Sequence, residues 1–238
     1  MLTLFFVPSL GSNNSIEVTG DEAHHAIKVL RISLGEEILL SDGAGAWARG
    51  SVERIDKKSF VLSVLERGMS EPAEPEIIVV QALTKSDRAK ETIELLTVAG
   101  VSTIIPWEAE RSIAKWQSDF GEKWFTASVT AAKQSRRLVL PQIEAPATTE
   151  QIARRFGSGK NLLVLHEEGT FKISDAAKAL VPGPIILVVG PEGGISGNEL
   201  GIFEASGAQI VKLGAEVLRA AHAGFAATAA ISALIGRW

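Results

Sequence analysis

The segment Ile185–Glu199, reading Ile-Ile-Leu-Val-Val-Gly-Pro-Glu-Gly-Gly-Ile-Ser-Gly-Asn-Glu, constrains the fold more than any other part of the chain. A run of five apolar residues has the length and β-branched content of a buried strand. It enters a glycine-rich turn, and the turn enters a helix start. Ser196 and Glu199 have the S-x-x-E spacing of a capping box, which places the helix N-terminus there. Strand, glycine turn and helix together form a ligand-binding corner, because glycines let backbone amides approach a bound molecule closely. Glu192 stands inside the turn, where a pyrophosphate would meet a carboxylate. The spacing matches neither the G-x-G-x-x-G dinucleotide fingerprint nor the P-loop. A ligand with polar edges and no phosphates fits better.

Around this corner the sequence alternates strands and helices. Ile77–Ala82, Val101–Pro106, Leu162–His166, Ile185–Val189 and Ala208–Leu213 read as strands. Lys90–Ala99, ending at Gly100, residues 120–135, Ser174–Leu180, the stretch from Ser196 and Leu218–Ile235 read as helices. This alternation predicts an α/β domain, mainly parallel, with helices on both faces of the sheet. Residues 1–70 differ. Leu2–Val7, Glu37–Ser41, Ala46–Ile55 and Phe60–Glu66 read as short strands, with one helix capped by Asp21 and a body from Ala23 to Leu30, which suggests a small barrel. Met69–Pro75, with two prolines and two acids, reads as a linker to a domain spanning residues 76–238. The last helix is dense in alanine, and its small side chains suit either core packing or a subunit interface.

Composition narrows the chemistry. The 238 residues include no cysteine, so disulfides, thiolate zinc sites and cysteine nucleophiles are excluded. Few histidines and no cysteines argue against a metal site, including at His24 and His25. No apolar run reaches the roughly 18 residues of a membrane span, and residues 1–10 read as a first strand; the cytoplasm is the expected location. The net charge of −4 does not advertise nucleic-acid binding. Between Arg111 and Pro141, however, six basic residues (Arg111, Lys115, Lys123, Lys133, Arg136, Arg137) face two acidic ones (Asp119, Glu122). Such a local basic surface can matter more to a polyanion partner than the net charge, but taken alone the cluster reads first as a solvated helix face.

Several segments together resemble one family. They are Gly190-Pro-Glu-Gly-Gly-Ile-Ser196 with Asn198-Glu199, Leu213-Gly-Ala-Glu-Val-Leu-Arg219, Glu110-Arg-Ser112, Gln134-Ser-Arg-Arg137 with Pro141, and His24-His25 with Val29-Leu-Arg31 and Asp42-Gly43. In these the chain is similar to the ribosomal RNA small-subunit methyltransferase E family of the SPOUT superfamily, over nearly its whole length. The resemblance implies a PUA-like RNA-binding β-barrel at residues 1–70. It implies a methyltransferase domain at 76–238 with a trefoil knot at its carboxyl end, a rare topology that periodicity does not suggest. It implies S-adenosylmethionine as cofactor, a homodimer, and methylation of N3 of one uridine in 16S rRNA within the small ribosomal subunit. The cofactor has no phosphates and carries a sulfonium, which suits Glu192. Transfer to N3 needs no covalent adduct, which suits a chain without cysteine. The chain departs from the family at Leu218-Arg-Ala-Ala-His-Ala223, where many members have Leu-Arg-x-Glu-Thr-Ala, and at Leu95-Leu-Thr-Val-Ala-Gly100.

The candidate cofactor residues follow. Leu165, His166 and Glu167 end one strand; Val189, Gly190, Pro191, Glu192, Gly193 and Gly194 form the glycine turn; Leu213 and Gly214 end another strand, at the sheet edge where ligands of α/β folds collect. Val217 and Leu218 supply apolar walls for an adenine ring. Arg219 is the catalytic candidate. Uridine N3 becomes nucleophilic as its proton leaves, and a fixed guanidinium stabilises the charge that spreads to the flanking carbonyl oxygens. Arg31, Lys85, Arg111, Gln134 and Arg137 are candidate RNA contacts. Two other readings stay open on sequence: an RNA ribose 2′-O-methyltransferase with the same glycine loop, and a non-catalytic RNA-binding or ribosome-assembly factor of the same fold. The proton acceptor and the role of His222 are not readable from the sequence.

Overall fold

The computed structural model describes residues 2–84, 86–157 and 159–238. The chain divides into two compact units, one running to Pro72 and including Ala132–Leu140, the other formed by Ala73–Ala131 and Pro141–Trp238.

In the first unit, β1 (Thr3–Phe6), β2 (Ser15–Val18), β3 (Glu37–Ser41), β4 (Ala46–Ile55) and β5 (Phe60–Met69) form a sheet of order β1-β3-β4-β5-β2. The β1–β3 pair is parallel and the others antiparallel. Phe5, Ile16, Val18, Ile38, Leu40, Val52, Phe60 and Leu62 share one core, so strands at both edges of the sheet point into the same interior and the sheet wraps around it. Register shifts between β4 and β5 at Arg49/Gly50 and Val52/Arg54 mark bulges, which increase local twist. Gly50 is required there, since a Cβ would lie 2.3 Å from the Ser63 carbonyl oxygen. The strand β2 is absent from the sequence reading, hidden in the polar surroundings of Asn13–Ser15.

The helix α1 (Gly20–His24) has Thr19 at its N-cap. Asp21 is therefore not the cap but a first-turn residue, where its carboxylate still faces the positive helix end. The helix continues as a π-helical segment, His25–Leu30, and stops at Arg31, which adopts a left-handed φ of 57°. The segment 132–140 joins this unit through Leu138 and Leu140. The Ser41 hydroxyl donates to the Leu138 carbonyl (2.9 Å), and the Leu140 amide donates to the Gly43 carbonyl (2.8 Å). Lys133 also pairs with Glu22.

In the second unit, β6 (Ile77–Ala82), β7 (Thr103–Trp107), β8 (Gln142–Ile143), β9 (Leu162–Leu165), β10 (Phe171–Lys172), β11 (Ile185–Val189) and β12 (Gln209–Lys212) make a sheet of order β10-β12-β9-β11-β6-β7-β8. Every pairing in it is parallel. The central strands are apolar at consecutive positions because both faces are covered. Ile77, Val79, Leu163, Leu165, Ile185, Leu187 and Val189 face a core shared with α2 (Ser86–Val98), α3 (Phe120–Ser135), α5 (Ile173–Lys178) and α7 (Ala220–Leu234). Their neighbours Ile78, Val80, Leu162, Val164, Ile186 and Val188 face a second core with α4 (Thr149–Phe156) and α6 (Gly197–Ala205). The sequence reading lacks α4, whose residues are mostly polar, and begins α2 four residues late. It also starts α7 two residues early: Leu218 lies before the helix, and Arg219 is its N-cap.

Candidate active site

Three neighbouring strands, β12, β9 and β11, end at a cavity of about 570 Å³, within the usual range for a small-molecule site. The end of β9 brings Leu165, His166 and Glu167 to its lining. The end of β11 and the turn after it bring Val189, Gly190, Pro191, Glu192, Gly193 and Gly194. The segment after β12 brings Leu213, Gly214, Val217 and Leu218, and Arg219 stands beside them. Every candidate cofactor residue and the catalytic candidate thus line one space. Arg111, read from sequence as an RNA contact, lines it too. Residues not anticipated are Arg88, Ile195, Lys212, Ala215, Glu216, Ala220 and Ala223. Most of them neighbour anticipated residues along the chain. Arg88 carried no such signal.

The glycine turn is held from within and from outside. The Gly194 amide donates to the Pro191 carbonyl (2.9 Å), and Gly194 has a φ of +75°, a conformation that glycine adopts freely. Gly193 is closely approached from outside, since a Cβ there would lie 3.1 Å from the Arg111 Cβ and 3.2 Å from its carbonyl oxygen, and Arg111 would have to give way by a few tenths of an ångström. Arg111 Nη1 donates to the Gly193 carbonyl (3.4 Å). Glu192 pairs with Arg88 (3.5 Å). The carboxylate is therefore partly compensated, and the electrostatic case against a pyrophosphate is weaker than the sequence indicates. The case from spacing is unaffected.

The capping box forms as read. Ser196 accepts from the Glu199 amide (3.1 Å), and Glu199 accepts from the Ser196 amide (3.0 Å). Glu199 does more than cap. It is almost fully buried, and its other oxygen accepts from the Glu110 amide (2.9 Å) and the Thr149 hydroxyl (3.0 Å). Thr149 in turn accepts from the Trp107 indole (3.1 Å). This network fastens the loop after β7, which carries Arg111, to the helix start that follows the glycine turn. Replacing Glu199 with Ala leaves these buried donors without their shared acceptor. Expected is a loss on the order of 3 kcal/mol, read in thermal unfolding as a drop of roughly 6–12 °C for a chain of this size. A shift under 2 °C refutes the role given to the network. At the rim, hydrogen bonds from Ser196 and then Asn198 hold the Glu110 carboxyl below the usual carboxylate range. Its contribution to stability is present above the ordinary carboxylate pKa and is lost as pH falls through the lowered folded-state value.

Arg219 is the N-cap residue of α7 and has no carboxylate partner among the described residues. His222 does not line the cavity; its Nε2 lies 3.2 Å from Glu91 on α2. His166 accepts the Glu168 amide at Nδ1 (3.2 Å), so its neutral form carries the proton on Nε2 and presents a donor. Of the other RNA candidates, Arg31 is exposed in the first unit; Gln134 is exposed, and Arg137 half-buried, in the segment 132–140 of that unit. Lys85 lies outside the described residues. Among those residues no helix is long and apolar enough to cross a membrane, and no group of three or more His, Asp or Glu could hold a metal ion.

The profile of the RNA methyltransferase domain family matches residues 71–232, and that of the RNA methyltransferase PUA domain family matches residues 18–65. The ribosomal RNA small subunit methyltransferase E of Mycobacterium bovis is 40% identical over 99% of this chain and 93% of its own. This chain belongs to that family. The Bacillus subtilis protein of the same name is 26% identical, over 92% of this chain and 90% of its own. A ribosomal RNA small subunit methyltransferase E from Neisseria gonorrhoeae, crystallised bound to S-adenosyl methionine, superposes with a TM-score of 0.89 at 25% identity, covering 98% of each chain. The fold is the SPOUT-type, trefoil-knotted α/β fold of this family, with a PUA-like module ahead of it. The strand order follows suit, since the chain runs from β9 to β11 and then back across β9 to β12.

Proposed function

We propose that this chain is an S-adenosylmethionine-dependent rRNA methyltransferase that modifies N3 of a uridine in 16S rRNA of the small ribosomal subunit. The observation that carries the reading is the convergence of the glycine turn, the ends of β9 and β12, and Arg219 on one cavity. The residues suit the cofactor. Gly193 and Gly194 keep side chains out of the turn, and Val217 and Leu218 expose apolar surface for an adenine ring. Leu165, His166, Glu167, Leu213 and Gly214 supply the remaining wall. Bound there, S-adenosylmethionine supplies an electrophilic methyl group. Arg219 stabilises the negative charge that develops on the uridine carbonyl oxygens as N3 loses its proton. Arg111 at the cavity and Arg31, Gln134 and Arg137 in the first unit contact RNA, with the first unit (residues 1–70 as read from sequence) serving as the RNA-docking module and residues 76–238 as the catalytic one. Lys85 keeps that role from the family resemblance. The protein acts as a homodimer in the cytoplasm; the half-exposed outer side of α7, with Phe225, and the exposed Leu234 and Trp238 nearby offer apolar surface for a second copy.

Mass spectrometry of small-subunit RNA from cells lacking this protein tests the reaction. One 3-methyluridine disappears and returns with the wild-type gene. Loss of a ribose methyl group instead, or an unchanged RNA, overturns the assignment. The docking role has its own test. Arg31→Ala lowers kcat/KM for small subunits by roughly tenfold, the scale of a lost charged contact to a phosphate, and leaves S-adenosylmethionine affinity unchanged in calorimetry. Equal kcat/KM for both proteins removes Arg31 from the RNA surface.

A further inference from the structure

We infer that Arg88 is a positioning residue for the glycine turn, acting through Glu192; the inference rests on reading the cavity as the S-adenosylmethionine site. The tip of the turn has little packing to hold it. Pro191 and Ile195 are buried on either side, whereas between them Gly193 is exposed and the Glu192 side chain is partly so. Besides the Gly194–Pro191 hydrogen bond within the turn and the close approach of Arg111 to Gly193, two polar ties from outside hold the tip. One comes from the loop after β7, where Arg111 Nη1 donates to the Gly193 carbonyl. The other comes from the opposite element, α2, where Arg88 Nη1 lies 3.5 Å from Glu192 Oε1. The helix α2 is a firm support, since Ile93 and Leu96 are fully buried in the core that it shares with α7. Arg88 itself lines the cavity, on the first turn of that helix.

Its charge is committed to Glu192, in contrast to Arg219, whose guanidinium meets no carboxylate among the described residues. Arg88 thus acts on the ligand through the turn. Removing it releases Glu192 and lets the tip leave the conformation in which it lines the cavity. Fixing a loop in its binding conformation strengthens association by reducing the ordering cost of binding. Glu192→Gln removes the same tie from the other end.

Calorimetry on the full-length protein tests this with two probes, S-adenosylmethionine and its demethylated product, against wild type, Arg88→Ala, Arg88→Lys, Glu192→Gln and the Arg88→Ala/Glu192→Gln double variant. The side chains of the pair are 44% and 23% exposed, so the effect is that of a part-screened ion pair. Expected for each single removal is a loss of affinity of about two- to fivefold, equal for both probes. The double variant is no weaker than either single one, and Arg88→Lys recovers most of the loss. With small subunits as substrate, Arg88→Ala raises the cofactor KM by the same factor and changes kcat less than twofold. Additive losses in the double variant overturn the inference, as does a fall in kcat at unchanged KM. Weakening confined to S-adenosylmethionine also overturns it, because that pattern belongs to a direct contact between Glu192 and the sulfonium. Wild-type protein that binds neither probe overturns the reading of the cavity itself, a result distinct from any failure of the Arg88 variants against a binding wild type.

Discussion

Arg219→Ala lowers the single-turnover rate of methyl transfer by about 100-fold or more, the scale for losing one preorganised charge-stabilising group. Three observations set this expectation. Arg219 lines the cavity, it stands at the N-cap of α7 where the chain turns from loop to helix, and its guanidinium is not spent on a carboxylate among the described residues. Its backbone is well fixed, since its carbonyl accepts from the amides of both His222 (2.8 Å) and Ala223 (3.0 Å). Cofactor affinity changes little in the variant, because the loss falls on the transition state. His222→Ala is the contrasting case. The imidazole faces Glu91 and not the cavity, so the variant costs far less than Arg219→Ala and leaves the shape of the pH–rate profile unaltered. A histidine base would impose a limb in the neutral region. If His222→Ala removes such a limb and is as damaging as Arg219→Ala, histidine is the proton acceptor and the assignment to Arg219 fails.

Gly194→Val weakens S-adenosylmethionine binding on the order of 100-fold. The physical cause is conformational. A β-branched residue at a φ of +75° is strained whatever space surrounds it, and no heavy atom lies closer to the added Cβ than Arg111 Nη1 at 3.9 Å. Relief of that strain breaks the Gly194–Pro191 hydrogen bond and re-aims the turn amides. The cost of a residue in such a region is of order 1–3 kcal/mol, and the lost amide contacts add to it. Gly193→Ala is the milder partner, because its φ is ordinary and only the tight approach of Arg111 resists the added methyl. Neither protein binds NAD. Calorimetry that finds S-adenosylmethionine binding unchanged in Gly194→Val, or tight NAD binding by the wild type, refutes the role given to the turn.

Much of this architecture is local information. The strands Glu37–Ser41, Ala46–Ile55, Ile77–Ala82 and Ile185–Val189 were legible to the residue, since apolar runs or alternation ended at clear turn signals. The Ser196–Glu199 box marked the start of α6, because both partners sit within one helical turn. The cavity lining was legible for a related reason. Residues at the carboxyl ends of strands in a parallel sheet share one edge, and the segments ending at His166, Val189 and Leu213 announced their own strand ends, whereas Val217, Leu218 and Arg219, beyond the end of β12, came from the family resemblance. Where local signals were faint, the reading was incomplete. The helix α4 presents Ile152 and Phe156 among polar residues, and β2 is four residues long and bounded by a polar turn.

What the tertiary structure decided is every contact between side chains remote in sequence. Nothing in Arg88 distinguishes it from any other helical arginine until folding brings α2 beside the glycine turn. Arg111 read as one of several candidate RNA contacts, at the start of a basic stretch, whereas the fold brings its Cβ and carbonyl oxygen within 3.1–3.2 Å of where a Gly193 Cβ would stand. Glu199 read as a cap, and its burial shows it also to be the shared acceptor for Glu110, Thr149 and the Ser196 amide. The return of residues 132–140 to the first unit rests on pairings with Ser41, Gly43 and Glu22 that no periodicity encodes. Period and capping are properties of a few consecutive residues and survive in a linear reading. Ion pairs, shared acceptors and close backbone approaches depend on three-dimensional separation, which only the folded chain defines.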